Sequence, residues 1–361
     1  MNTSIMADFK VKHLFFILLL SVLISTTSCT KNVTMSRLMP AEINVPIYVQ
    51  RLLIVDRTAP QNEGFSVIEG ILTGEAPFEV KNAVESTIVK LQQELNTSPR
   101  FEVIRARERL RGGLFSQTFP TPLTWRQIEE LCNAYDVDAV LSLEKFSSDF
   151  VVTDKKQLIK KIEGEGRNAR QVEVQGVYAE GIASVKVGFR LYDPKSKNIS
   201  DQQDFEKTNL WSAEAENKTQ ALALMIDKVK ATQYVGQIAG ASYARRIAPM
   251  YLSINRTLFQ KPKDNQSLAI GARMAEVNEW ENAIQTWEEG LIDVLEDKTA
   301  ARLCYNIAVG YEVLGDLEAA KNWAGKSYTL YGFKQGRTYA QELDTRMMQE
   351  DRLRKQLEKE F

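Results

Sequence analysis

Between Val177 and Leu191 the chain alternates with a period of two. Val177, Ala179, Gly181, Ala183, Val185, Val187, Phe189 and Leu191 hold one parity, while Tyr178, Glu180, Ser184, Lys186 and Arg190 hold the other. A helix cannot present fifteen residues this way. The pattern dictates a long strand with one buried and one wet face, the habit of antiparallel sheets. Such a strand needs neighbours. Asp193-Pro194 through Asn198 supplies a turn, and residues 199–212, ending in Leu210-Trp211, read as the returning strand. On the other side, the charged, glycine-punctuated stretch 155–175 (KKQLIKKIEGEGRNARQVEVQ) reads as the projecting end of a hairpin. Lys155, Lys156, Lys160, Lys161, Arg167 and Arg170 make it a poor second arm for a membrane-spanning pair.

The elements before this block alternate in type. A β-rich run covers Ile47–Val55 (IYVQRLLIV) and ends at Asp56-Arg57; residues 58–77 carry Pro60, Gly64, Gly70, Gly74 and Pro77 and read as loop. A helix is expected over 78–96, from the spacing of Phe78, Val80, Ala83, Val84, Ile88, Leu91 and Leu95, with Pro99 ending it. Phe101-Glu102-Val103-Ile104 is a short strand. Arg105 to Arg111 carries four arginines, either an anion cradle or a solvated face. Thr124 with Gln127 has the form of a capping box, opening a helix to Tyr135. Val137–Leu143 is a strand with apolar residues continuing to Val152. A long helix is expected from Lys218 to Ile247, capped by Asn217 and closed by Pro249, then a last strand over Tyr251–Phe259. This order fits an α/β sandwich domain with a mixed sheet over 46–261.

The amino terminus reads as an address. Lys10, Lys12 and His13 precede the apolar run Leu14–Ser25, which is too short to span about 30 Å of hydrocarbon. Residues 1–28 are therefore expected to be a signal peptide. Ser25-Thr26-Thr27-Ser28 before Cys29 resembles the lipobox of bacterial lipoproteins, with Thr26 where leucine is usual. The resemblance implies acylation of Cys29 and a lipidated tether over 29–45. Cleavage before Cys29 also removes His13, the only histidine. The mature chain then lacks imidazole, which excludes Ser-His-Asp and Cys-His catalysis and histidine-ligated metals. Cys132 and Cys304 fall on apolar helical faces and read as buried thiols.

Beyond Lys261 the pattern is helical. Tyr305-Asn306-Ile307-Ala308, Tyr311, Gly315-Asp316 and Ala320 fall at tetratricopeptide offsets, and Gly271, Met274, Ala283, Trp287 and Gly290 form a second copy. The resemblance implies all-α tetratricopeptide-like repeats over 262–336, with the packing at Trp323 and Ala324 out of step by one residue. Residues 337–361 read as a charged capping helix, with Tyr339, Leu343 and Met347 as its stripe and a solvated tail after Met347. Arg273, Glu276, Arg302 and Glu312 are the candidate partner-binding residues, on the inner faces of the repeat helices.

The formal charge of −1 gives no general pull on nucleic acid. No Walker loop and no Cys-x-x-Cys occurs, and Glu163-Gly164-Glu165-Gly166 is too acidic to hold phosphate. No catalytic residue, cofactor or metal is expected. RLLIVDR, FEVI, VDAVLSL and the hairpin ending in LYDP, taken in order, resemble the periplasmic domain of curli-secretion and penicillin-binding-protein-activator lipoproteins. The whole chain resembles a family of Bacteroidota-type lipoproteins of unknown function with carboxy-terminal repeats, from which no site residue carries over. The expectation is a non-catalytic scaffold anchored at the outer membrane by Cys29. The periplasmic side is favoured, because no acidic run follows Cys29. The envelope protein partner is undefined, and a homo-oligomer is allowed. The alternatives are a curli-type secretion pore subunit and a carboxylate-dependent envelope hydrolase.

Overall fold

The computed structural model describes residues 30–58, 77–114, 118–166, 169–261, 265–292 and 294–358. The expected signal peptide, Cys29 and most of the loop expected over 58–77 lie outside them. The chain divides into two compact units: residues up to Arg37 with Leu252–Glu350, and Leu38–Tyr251 with Asp351–Phe361. The fold class is α/β followed by an all-α run, as the sequence pattern implies.

The α/β unit is built on one six-stranded sheet. Strands β2 (Arg51–Asp56), β3 (Glu102–Arg105), β5 (Ala139–Glu163), β6 (Arg170–Asp193) and β7 (Asn198–Ala215) run in the order β3-β2-β5-β6-β7, and β4 (Gly113–Leu114) pairs beside β5. β3, β2 and β5 are parallel, whereas β5, β6 and β7 are antiparallel. β2 is buried on both faces, as a parallel central strand should be. Leu52 and Ile54 meet helices α1 (Pro77–Thr97) and α4 (Lys228–Ile247) on one face. Leu53 and Val55 meet α2 (Trp125–Tyr135) on the other. α1 and α4 approach closely: a Cβ on Gly240 would stand 2.3 Å from the Thr87 carbonyl oxygen.

Local chemistry explains the boundaries. The capping box opens α2, where the Gln127 backbone N–H donates to Thr124 Oγ1 at 3.3 Å and the Thr124 N–H to Gln127 Oε1 at 3.0 Å. The helix expected over Lys218–Ile247 is two helices, α3 (Lys218–Leu224) and α4. The reason is a second cap: Asp227 accepts the Lys230 N–H at 2.9 Å and restarts the helix, as Asn217 starts the first. The strand expected from Ile47 begins only at Arg51. Arg100, buried, donates to the carbonyls of Val49 at 2.6 Å and Pro46 at 2.7 Å and holds residues 46–49 as a turn. The tether expected over 29–45 contains strand β1 (Thr30–Met39), the neighbour of β8 (Met250–Phe259). The stretch 155–175 is the projecting end of a hairpin, as its residues imply: β5 and β6 stay paired from Val140↔Tyr192 to Glu163↔Arg170.

The helical unit contains α5 (Gln266–Glu276), α6 (Trp280–Glu289), α7 (Asp297–Leu314), α8 (Leu317–Thr329) and α9 (Lys334–Leu357) to Glu350, with consecutive helices α5 to α8 packed together. Gly271 lets α5 close on Trp287, whose indole nitrogen would lie 2.3 Å from an added Cβ. Ala324 is buried and Trp323 half-buried beside it, so the aromatic one place early packs at the rim of the core. The solvated tail is contradicted. Leu353 and Gln356 are buried, and Gln356 accepts the Ala41 N–H at 2.8 Å while donating to Asn44 Oδ1 at 2.8 Å, all within the α/β unit.

Candidate functional site

In α/β sheets, ligand sites gather at the carboxyl ends of parallel strands. Among the described residues that end is filled by paired charges. The β5–β6 register slips between Leu143 and Lys145, leaving Glu144 as the extra residue of a bulge. Glu144 is fully buried and accepts from Arg57 Nη1 at 2.6 Å and from the Tyr192 hydroxyl at 2.7 Å, with Arg190 Nη1 3.7 Å away. The two arginines then donate to Thr121 O and Pro120 O, each at 2.7 Å, pinning that segment over the sheet. Burial, reinforced by the Glu144 charge, pushes Tyr192 up to about 12. At neutral pH it is a hydrogen-bond donor, not a base. Arg105 and Arg109 of the arginine run are also engaged. Arg105 grips both oxygens of Glu85 at 2.6 Å, and Arg109 Nε donates to Asp56 at 2.6 Å. Both of these arginines are held in ion pairs within the fold.

The residues singled out on the repeat helices do not converge. Arg273 is exposed on α5, and Glu276 pairs with Lys31. Arg302 donates to the Lys261 carbonyl at 2.7 Å and lies over the Phe259 ring. Glu312 is fully buried, so it is not available to a partner. It accepts from Arg256 at 2.6 Å and 3.1 Å and from the Tyr339 hydroxyl at 2.6 Å. Its helical spacing looks surface-facing in sequence because β8, which covers it, is remote along the chain. Cys132 and Cys304 are free and buried, and burial pushes each thiol up to about 11. Neither is a nucleophile at neutral pH.

The open surface lies elsewhere. One face of β5–β6–β7 carries α3 and α4, with Val177, Ala179, Ala183 and Val185 beneath them. On the opposite face Val151, Ile182 and Leu210 stand in register across the three strands, all exposed. β7 ends at Ala215 opposite Val177, and from there β5 and β6 continue alone as a two-stranded ribbon to Glu163↔Arg170. Leu158 and Ile162 are 56% and 72% exposed on it, beside Lys156 and Lys160 and on the face opposite to that of Val151. Exposed aliphatics in a row are the mark of a contact surface. One sign was legible: Ile182 is the apolar residue that breaks the wet parity of β6. The alignment of Val151 and Leu210 with it depends on register, which sequence does not give.

Among the described residues, no group of three or more His, Cys, Asp or Glu is placed to hold a metal, and no helix is long and apolar enough to cross a membrane. Two family models match the chain, each described as a domain of unknown function: DUF8603 over residues 49–259 and DUF6340 over 269–351. No curated protein matches. Solved structures that match include a protein described as a neuraminyllactose-binding hemagglutinin homolog from Helicobacter pylori and two PelC dodecamers from Paraburkholderia phytofirmans. The first is 12% identical and covers 57% of this chain and 86% of its own, at a TM-score of 0.26. The PelC structures are each 10% identical; they cover 60% and 58% of this chain and 99% and 97% of their own, at TM-scores of 0.23 and 0.18. Because its model spans more than half of the sequence, the chain belongs to the DUF8603 family.

Proposed function

We propose that this protein is a non-catalytic binding and scaffolding lipoprotein of the bacterial cell envelope. Lipid on Cys29 ties it to the outer membrane, on the periplasmic side. The carboxy-terminal helices act as tetratricopeptide-like packing units. The partner docks on the open face of β5–β6–β7 and its ribbon rather than on Arg273, Glu276, Arg302 and Glu312. The observation that carries this reading is the exposed row Val151, Ile182 and Leu210 on the open face; Leu158 and Ile162 are exposed on the other face of the ribbon. A fully buried carboxylate at the strand ends, already bonded by Arg57 and Tyr192, supports a binding role over a hydrolytic one, since Glu144 has no surface open to substrate.

A second reading, a secretion-pore subunit, is favoured by the length of the β5–β6 pair. It needs an apolar ribbon face, and Lys156 and Lys160 alternate with Leu158 and Ile162 on one face while Lys155 and Lys161 flank Ile159 on the other. A photo-cross-linking amino acid placed at Ile162 in cells separates the two. The scaffold gives one reproducible envelope protein as the adduct. Ladders of self-adducts, or adducts to lipid alone, would contradict it.

A further inference from the structure

β5 is an inner strand for only part of its length. Its outer side pairs with β2 as far as Leu143 and with β4 at Lys145 and Phe146. Beyond Phe146 no described strand lies on that side, while β6 stays paired on the other side to Glu163. The outer side therefore carries a row of backbone N–H and C=O groups with no strand beside them, a template for another strand. Exposed aliphatics gather on this edge. Val151 is 52% exposed on the open face, and Val152 is 40% and Leu158 56% exposed on the helix-bearing face. An element that runs along the edge, with side chains alternating to both faces, covers all three.

The strand that fits is β5 itself, run antiparallel about a two-fold axis at Lys155. In that register Val151 faces Ile159 of a second copy and Val152 faces Leu158, an apolar pair on each face, each made twice. Asp154 faces Lys156, and Asp149 faces Lys161. Lys218 of the same chain meets Asp154 only at Oδ1, at 2.7 Å, which leaves Oδ2 for the new lysine. Lys155 alone faces its own kind. Its ammonium lies 5.0 Å from the centre of the Tyr178 ring, on the β6 side, so the two charges lean away from the axis. Other registers fit worse. An axis at 154 sets Asp154 against itself and Val152 against Lys156. One at 156 sets Asp149 against Glu163 and Val151 against Lys161. One at 157 brings Asp154 to Lys160 but Val151 to Glu163, and one at 158 opposes Lys155 to Lys161 and Lys156 to Lys160.

We propose that the β5 edge is occupied by a second copy of this chain, paired antiparallel over Val151–Ile159 about an axis at Lys155. Lysines on an edge strand commonly keep other strands away. Here Lys156 and Lys161 each find an acid opposite, so they select this register instead. The contact uses the same patch on both copies and closes at two. It joins two sheets into one and leaves both faces open. On the open face it lengthens the apolar row: Leu210, Ile182 and Val151 of one copy are continued by Ile159 of the other and by Val174, the residue paired with Ile159 in β6. An envelope partner on that face meets a row that crosses both copies, but the pairing itself does not depend on the partner.

The test uses the full chain, purified in mild detergent without any partner, with its mass read by analytical ultracentrifugation. The native chain is expected to be a dimer. Under mild oxidation Lys155→Cys should give a disulfide-linked dimer, because Cα atoms opposed across an antiparallel pair stand about 4.5–5.5 Å apart. Thr153→Cys, on the same face, should give severalfold less, because its two Cα atoms would stand about 14 Å apart. Lys156→Glu sets a second acid against Asp154 and should lower the dimer fraction severalfold; adding Asp154→Lys to the same chain should restore it. A native chain that stays monomeric as its concentration is raised overturns the proposal, and so does a ring of many copies. Equal cross-linking at 153 and 155, or a dimer indifferent to the charge reversal, overturns the register and with it the proposed edge. None of these readouts involves the envelope partner, so the pairing can fail while the partner reading stands, and the reverse.

Discussion

A carboxylate with no exposed surface persists only when donors meet its charge. Glu144 and Glu312 both satisfy this, each with an arginine and a tyrosine. Removing the acid strands the cation. Glu144→Ala is expected to cost about 3–5 kcal/mol in urea unfolding, because Arg57 and Arg190 are left buried without a counter-charge. Glu130→Ala, on the exposed face of α2, should stay within about 0.5 kcal/mol. The tyrosines set an alkaline limit. Tyr192 is pushed up to about 12, and burial lifts Tyr243 and Tyr339 well above their ordinary value. A raised folded-state pKa means the unfolded chain loses the proton first. The stabilisation is complete below about pH 10 and drains away as pH rises from about 10 to about 12. Urea midpoints measured across that window should fall, and Tyr192→Phe should flatten part of the fall. At this scale sequence misled once, in choosing Glu312 as a partner residue. An acid on a helix reads as wet unless the strand that covers it is visible, and β8 is not recognisable as that cover from the residues around Glu312.

Elements were legible where a local rule decides them and obscure where a distant contact does. The capping box of α2 and the alternation of β6 are local, and both are as the residues imply. The break before α4 is local too, since Asp227 is a competent cap, but the apolar spacing across it hides the signal. The late start of β2 and the burial of the carboxy-terminal tail are not local. Arg100 and Gln356 act on backbone 51 and 315 residues away. Deleting residues 348–361 is therefore expected to destabilise the α/β unit, and Gln356→Ala alone should cost about 1–3 kcal/mol by leaving Ala41 N–H unpaired in a buried place. Hydrogen exchange at residues 41–44 reads the same loss directly. The α1–α4 contact offers a sharper case. Gly240→Val has no room against the Thr87 carbonyl and should force the helices apart, lowering the melting temperature by several degrees. Gly325→Ala, with nothing within 4 Å of an added Cβ, should not.

At the scale of the whole molecule there are an α/β unit with a projecting ribbon and a helical unit that includes most of the amino-terminal strand. The ribbon and open face are proposed to hold an envelope partner. The most direct measurement is the mass of the complex extracted from membranes in mild detergent after cross-linking in cells, for the native chain and for Leu158→Asp with Ile162→Asp. Both substitutions are on exposed positions and should leave the urea midpoint of the purified protein unchanged. The account predicts a monomer or dimer carrying one defined partner, which the double variant loses while staying folded and membrane-bound. A homogeneous ring of many copies, or a complex indifferent to the ribbon, would contradict it.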